Sequence, residues 1–76
     1  MYNIRKGSII EEYDYGVIIE AEIITEVQEV NGNQQQFTAK LISVDYGEGK
    51  RQASENSMVD YLVGGTYGAS IQVVKY

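Results

Sequence analysis

The feature that most constrains this chain is an alternation of apolar and polar side chains over residues 17–27, broken at two even positions. The apolar set occupies the odd positions, and the acidic residues Glu20, Glu22 and Glu26 occupy even ones. A period of two is typical of a β-strand that buries one face. Eleven residues exceed the usual strand length of about five or six, so we expect the strand to bend. Ile18 and Ile24 interrupt the acidic face and are the expected bend positions.

The end of this strand carries a hairpin signal, the sequence Val-Asn-Gly-Asn at residues 30–33. A two-residue loop would set Glu26 opposite Phe37, which places a charge on the apolar face. A three-residue loop of residues 30–32, with Gly32 at positive φ, pairs odd positions with odd ones. The sequence therefore predicts three opposed pairs: Thr25 with Phe37, Ile23 with Ala39, and Ala21 with Leu41.

The remaining segments are shorter and predict further strands at residues 8–13, 35–44, 50–53 and 69–76. Turns are expected at Asp14-Tyr15-Gly16 and Asp45-Tyr46-Gly47, where Asp caps the backbone and Gly accepts positive φ. Residues 54–63 are interpreted as a short helix, because Met58, Tyr61 and Leu62 follow helical spacing, with a strand as the competing assignment. Five strands without crossover helices indicate a single antiparallel all-β domain over residues 1–76.

A long bent strand, four shorter strands and one helical turn fit a small antiparallel barrel or a rolled five-stranded sheet. Residues 6–10 (Lys-Gly-Ser-Ile-Ile), followed by residues 15–18 (Tyr-Gly-Val-Ile), resemble the first strand and loop of SH3-like barrels. The resemblance implies a fold and no function, because such barrels serve many functions. An OB-like barrel is the alternative.

Charge and composition exclude several kinds of function. The first 30 residues carry seven acids and two bases, whereas the rest carries four of each, so the net charge of −5 lies in the first part. Clustered Lys and Arg are missing, which argues against direct nucleic-acid binding and favours a partner protein with a basic surface. The chain has no His and no Cys, which removes the commonest general base, imidazole and thiolate metal ligands, and disulfides. We therefore expect no enzyme activity, metal or cofactor.

Two functional hypotheses follow. The first is a cytoplasmic interaction module, such as a bacterial or phage accessory or inhibitor protein, that binds its protein partner through Glu20, Glu22 and Glu26. The cytoplasmic assignment reflects the absence of a leader-like segment and of an 18-residue apolar run. The alternative is an oligomeric protein that binds a nucleotide-like ligand. Its expected site combines aromatic rings with two cations: Tyr15, Tyr46, Tyr67, Lys50 and Arg51.

Overall fold

The computed structural model describes residues 4–30, 32, 34–54, 56–64 and 70–75. Within these residues the chain forms seven strands and no helix, and thus no helix long and apolar enough to cross a membrane. In chain order the strands are β1 (Ile9–Asp14), β2 (Val17–Ile23), β3 (Gln28–Val30), β4 (Gln34–Asp45), β5 (Lys50–Gln52), β6 (Met58–Gly64) and β7 (Ser70–Lys75). The all-β prediction is confirmed.

All seven strands belong to one antiparallel sheet built around the 12-residue strand β4. One edge of β4 pairs with β3 and β2, and the other edge pairs with β6 and β5. The sheet continues from β2 through β1 to β7. It curls into a half-barrel, which confirms the rolled sheet expected from the sequence.

The hydrophobic core lies on the inner face of the curled sheet. Its centre follows the predicted pairing, because Ile23 lies opposite Ala39 and Ala21 opposite Leu41. The rings of Phe37 and Tyr61 stack with centroids 5.3 Å apart and join β4 to β6. The buried hydrophobic residues are Ile4, Ile10, Ala21, Ile23, Phe37, Ala39, Tyr61, Val63 and Ile71.

The predicted strand over residues 17–27 ends at Ile23, and β3 resumes only at Gln28. The expected bend at Ile24 is therefore confirmed. At Ile18 the expectation is wrong, because Ile18 pairs regularly with Tyr13 and Asp45. The register shift between β2 and β4 lies instead after Glu20, where β4 has one residue more.

The predicted opposition of Thr25 and Phe37 is also wrong. Thr25 lies in the break, and its hydroxyl accepts a hydrogen bond from the Thr38 N–H at 2.9 Å. Beyond the break Val30 lies opposite Gln34, so residues 31–33 separate the two strands instead of residues 30–32. Gly32 has the expected positive φ of 80°. The break contains two more residues than the facing segment of β4. The extra residues shift the pairing beyond the break, and with it the loop, while the core pairs before the break keep the predicted register.

The prediction of a short helix over residues 54–63 is wrong. Residues from Met58 onward form β6, which pairs along its length with β4 from Lys40 to Gln34. Tyr61 and Val63 on alternate positions are buried, while Leu62 between them is exposed. The side chains therefore follow a period of two, and pairing with β4 satisfies the backbone that a helix would have satisfied internally.

Candidate functional site

The outer face of the sheet, which points away from the core, carries an acidic surface. Directly opposed residues share a face, so the register places side chains in rows across the strands. One row joins Gln72, Glu11, Glu20, Ser43 and Gln52. The adjoining outer-face positions add Glu22, opposite Lys40, and Asp60, opposite Thr38. We call Glu11, Glu20, Glu22 and Asp60 the acidic face.

Glu20 is the most enclosed of the three glutamates predicted from the sequence. Its side chain is 20% exposed, and its carboxylate lies 3.9 Å from Lys50 Nζ. The Ser43 hydroxyl donates to the same carboxylate at 3.4 Å. Glu11 lies directly opposite Glu20, a like-charge pair that destabilises a sheet unless it is compensated. Lys50 and Ser43 provide that compensation, so Glu20 is held in place and is not free to follow a partner.

Glu11 is held by a neighbouring tyrosine. The Tyr13 hydroxyl donates to the Glu11 carboxylate at 2.9 Å. This hydrogen bond, with smaller contributions from burial and the negative charge of Glu11, raises the pKa of the Tyr13 phenol. Tyr13 is 42% exposed, so the pair belongs to the surface and extends the acidic face toward the β1–β2 turn.

Glu22 is exposed and borders an open surface depression of about 660 Å³, called the larger hollow below. Lys40, opposite Glu22 on β4, lies on the same rim, while Leu41 and Ile42 provide apolar lining. The chain after β5, at Ala53 and Ser54, forms the other side. The hollow thus combines one carboxylate, one ammonium group and an apolar lining, a composition suited to a side chain from a partner protein.

Glu26 lies beyond the end of β2 and does not continue the strand face as the sequence predicted. It is exposed and lines a smaller hollow of about 200 Å³ together with Asp60 and Thr38. The Asp60 carboxylate accepts a hydrogen bond from the Thr38 hydroxyl at 2.6 Å. The fold therefore places Glu26 near an acid from a distant part of the sequence. The described residues contain no cluster of acids arranged to hold a metal ion.

The tyrosines of two turns lie at one end of the sheet. Tyr15 follows β1 and Tyr46 follows β4, and these strands end together because Ile18, next to the first turn, pairs with Asp45. Tyr15 is fully exposed at 103% with a positive φ of 46°, which is uncommon for a residue with a bulky side chain. Tyr46 is 66% exposed. Tyr67, the third predicted tyrosine, lies outside the described residues.

The two cationic side chains that were predicted to bind a phosphate both lie close to carboxylates. Lys50 approaches Glu20, and Arg51 Nη2 lies 3.6 Å from Glu48 Oε2. Both cations lie on β5, whose first residue pairs with Asp45 at the tyrosine end. A phosphate bound there would compete with the resident acids for both side chains.

A polar contact on the inner face was missed by the sequence analysis. Glu12 lies on the core side between Ile19 and Ile71, and its carboxylate accepts a hydrogen bond from the Tyr61 hydroxyl at 3.0 Å. Burial first, and then the hydrogen bond and charge of Glu12, raise the pKa of the Tyr61 phenol. The alternation of side chains along the strand could have revealed Glu12. Ser8 and Ile10 occupy even positions on the same side of the strand, and both are buried.

No protein-family model, curated protein or solved structure matches this chain.

Proposed function

We propose that the protein is a non-enzymatic interaction module whose acidic face binds a protein partner with a basic surface. The observation that carries the proposal is the strand register, which collects Glu11, Glu20, Glu22 and Asp60 on one side of the sheet. Such a charged face steers a complementary partner and increases its association rate. Direct nucleic-acid binding is not part of the proposal, because phosphates would be repelled by the same face.

The three predicted contact glutamates have different roles in this proposal. Glu22 and Glu26 are exposed and provide the direct contacts. Glu20 is held by Lys50 and Ser43, so it contributes a negative charge at a fixed position in the row that also contains Glu11. The hollow beside Glu22 receives a Lys or Arg side chain, whose methylene groups contact Leu41 and Ile42. A cytoplasmic accessory or inhibitor protein of a bacterium or phage, which occupies a basic site on its target, fits this arrangement.

The test is capture of a partner with a photo-reactive amino acid introduced at Ser54, on the rim of the larger hollow. Reversal of Glu22 and Glu26 to Lys should abolish the cross-linked species, and mass spectrometry of that species should identify a protein that contacts the hollow through Lys or Arg. The matched control is Glu29→Lys, because Glu29 is exposed but lies on the other face, opposite Gln35. Cross-linking that survives the double reversal, or is lost equally in the control, contradicts the proposal.

A second candidate function, binding of an aromatic nucleotide-like ligand, is favoured by the common location of Tyr15 and Tyr46 at one end of the sheet. Two exposed rings can stack on a base, and Lys50 can exchange Glu20 for a phosphate. Native mass spectrometry of protein purified from cells would detect the bound mass. The ligand should be lost in Tyr46→Ala and retained in Val74→Ala, whose side chain is also exposed but lies on β7. An apo mass under gentle conditions contradicts this candidate.

A further inference from the structure

Strand β6 lies at the border of the described sheet and exposes an apolar surface. It pairs with β4 along one edge and with no described strand along the other. Met58 is 55% exposed, Leu62 52% and Val59 39%. The only charged side chain of the strand is Asp60, whose carboxylate is bound by Thr38 on β4. The usual protections of an edge strand, such as Lys, Pro or an unpaired inward charge, are therefore missing from β6.

The backbone of β6 offers hydrogen-bonding groups to a further strand. The Leu41 N–H donates to the Ser57 carbonyl at 2.8 Å, so the odd-numbered positions direct their backbone groups toward β4. The Ile24 N–H donates to the Thr38 carbonyl at 3.0 Å on the opposite edge of β4, which confirms the alternation. The N–H and C=O groups of Met58, Asp60 and Leu62 consequently point away from β4. Such a row of groups is a template for pairing with a further strand.

We propose that β6 pairs with β6 of a second copy of this chain, antiparallel across a two-fold axis, so that the two half-barrels form one continuous sheet. A register centred on Tyr61 opposes Asp60 to Leu62 of the other copy and Val59 to Val63. This register keeps the two Asp60 carboxylates apart, and it satisfies the outward backbone groups in pairs. The outer acidic faces of both copies remain accessible.

Charge and core size identify a second copy as the occupant. The proposed partner of the acidic face is basic, whereas the β6 edge offers only one acid, which is already hydrogen-bonded, and selects an uncharged strand instead. β6 itself matches in length and apolar content, and the proposed register sets its one charged residue, Asp60, opposite the uncharged Leu62. A chain of 76 residues without cysteine cannot strengthen its small core by disulfides, and chains of this size often gain stability from association. Pairing through β6 buries Met58, Val59 and Leu62 without changing the fold of either copy.

Sedimentation velocity from low to high micromolar concentration tests the pairing with the full chain. The wild type should convert from monomer to dimer, and Leu62→Glu should weaken the dimer at least about tenfold, since it sets a second carboxylate directly opposite Asp60 of the other copy. The matched control is Val74→Glu on β7, because Val74 is 51% exposed on the strand at the other end of the sheet. Circular dichroism verifies that both variants retain the sheet.

Hydrogen exchange supplies a readout that depends on the backbone. The amides of Asp60 and Leu62 should become protected as the protein concentration rises, whereas those of Tyr61 and Val63, already directed at β4, should not change. A monomer at every concentration overturns the proposal. So does a dimer that Leu62→Glu leaves intact, one that Val74→Glu disrupts, or one in which the Asp60 and Leu62 amides stay unprotected.

Discussion

At the scale of single residues, the bond between Tyr61 and Glu12 connects two distant strands across the inner face. It joins β6 to β1 through two residues that are 49 positions apart in the sequence. Tyr61→Phe keeps the ring that stacks on Phe37 and removes the hydroxyl, which leaves the Glu12 carboxylate without this donor on a half-buried face. We expect a loss of about 1–2 kcal/mol in the free energy of unfolding. Urea denaturation would measure it, with Tyr15→Phe at the fully exposed turn as an unaffected control.

The same residue predicts how stability depends on pH. The pKa of Tyr61 is raised above its ordinary value of 10.0, so the folded protein holds the phenol proton more tightly than the unfolded chain. Its contribution is therefore complete below pH 10 and is lost as the pH rises above 10. Unfolding midpoints measured between neutral and strongly alkaline pH should fall more steeply for the wild type than for Tyr61→Phe. Equal slopes in the two proteins would contradict this assignment.

At the scale of elements, the break between β2 and β3 depends on one side chain. The Thr25 hydroxyl accepts from the Thr38 N–H, which has lost its strand partner at this point. Thr25→Val has nearly the same shape but removes the acceptor, so we expect a loss of about 1–2 kcal/mol in unfolding free energy. The same change at Thr38 removes only a surface bond to Asp60 and should cost at most about 0.5 kcal/mol.

Hydrogen exchange at the Thr38 amide distinguishes the loss of this hydrogen bond from a general loss of packing. In Thr25→Val the Thr38 amide should exchange faster than in the wild type, while the amide of Ile23, bonded to Ser8 at 2.9 Å, should keep its protection. A uniform increase in exchange across the sheet would mean that Thr25 acts through global stability alone.

The elements also show how far the sequence could predict the fold. Alternation correctly predicted β4, the part of the long strand up to Ile23 and two of the three opposed pairs, because a one-residue slip would expose every buried side chain at once. The loop position was not predictable to one residue, since residues 24–27 form a break whose length no local pattern specifies. β6 was misassigned because Met58, Tyr61 and Leu62 fit helical spacing as well as Tyr61 and Val63 fit strand spacing. Pairing with β4 decided between the two, and that contact is not local in sequence.

The candidate site was predictable only in part, for a related reason. The alternation of side chains correctly assigned Glu20 and Glu22 to the outer face, because both lie within β2. Glu26 lies past the break, and its neighbour Asp60 comes from the misassigned strand β6. The contribution of Asp60 to the acidic face therefore depends on a strand pairing that the sequence pattern did not specify.

At the scale of the whole molecule, the two proposals predict that the acidic face and the β6 edge respond oppositely to salt. Each copy carries a net charge of −5, so two copies repel each other and salt should strengthen their pairing. Binding of a basic partner to the acidic face gains from attraction between opposite charges, so salt should weaken it. A dimer also presents two acidic faces, and a partner with two basic sites would gain avidity from it.

The opposite salt dependences allow one experiment to distinguish partner binding at the acidic face from self-association at the β6 edge. Between low salt and about 0.5 M, where the Debye length falls to a few ångströms, the partner should dissociate while the dimer fraction rises. Leu62→Glu should abolish the rise in dimer and leave the salt-sensitive partner binding in place. The double reversal of Glu22 and Glu26 removes most of the net charge of −5, so it should abolish partner binding while the dimer forms at both salt concentrations. Sedimentation of the protein mixed with the identified partner, without cross-linking, measures the two together at both salt concentrations. A single variant that eliminates both would show that partner binding and self-association use one surface instead of two.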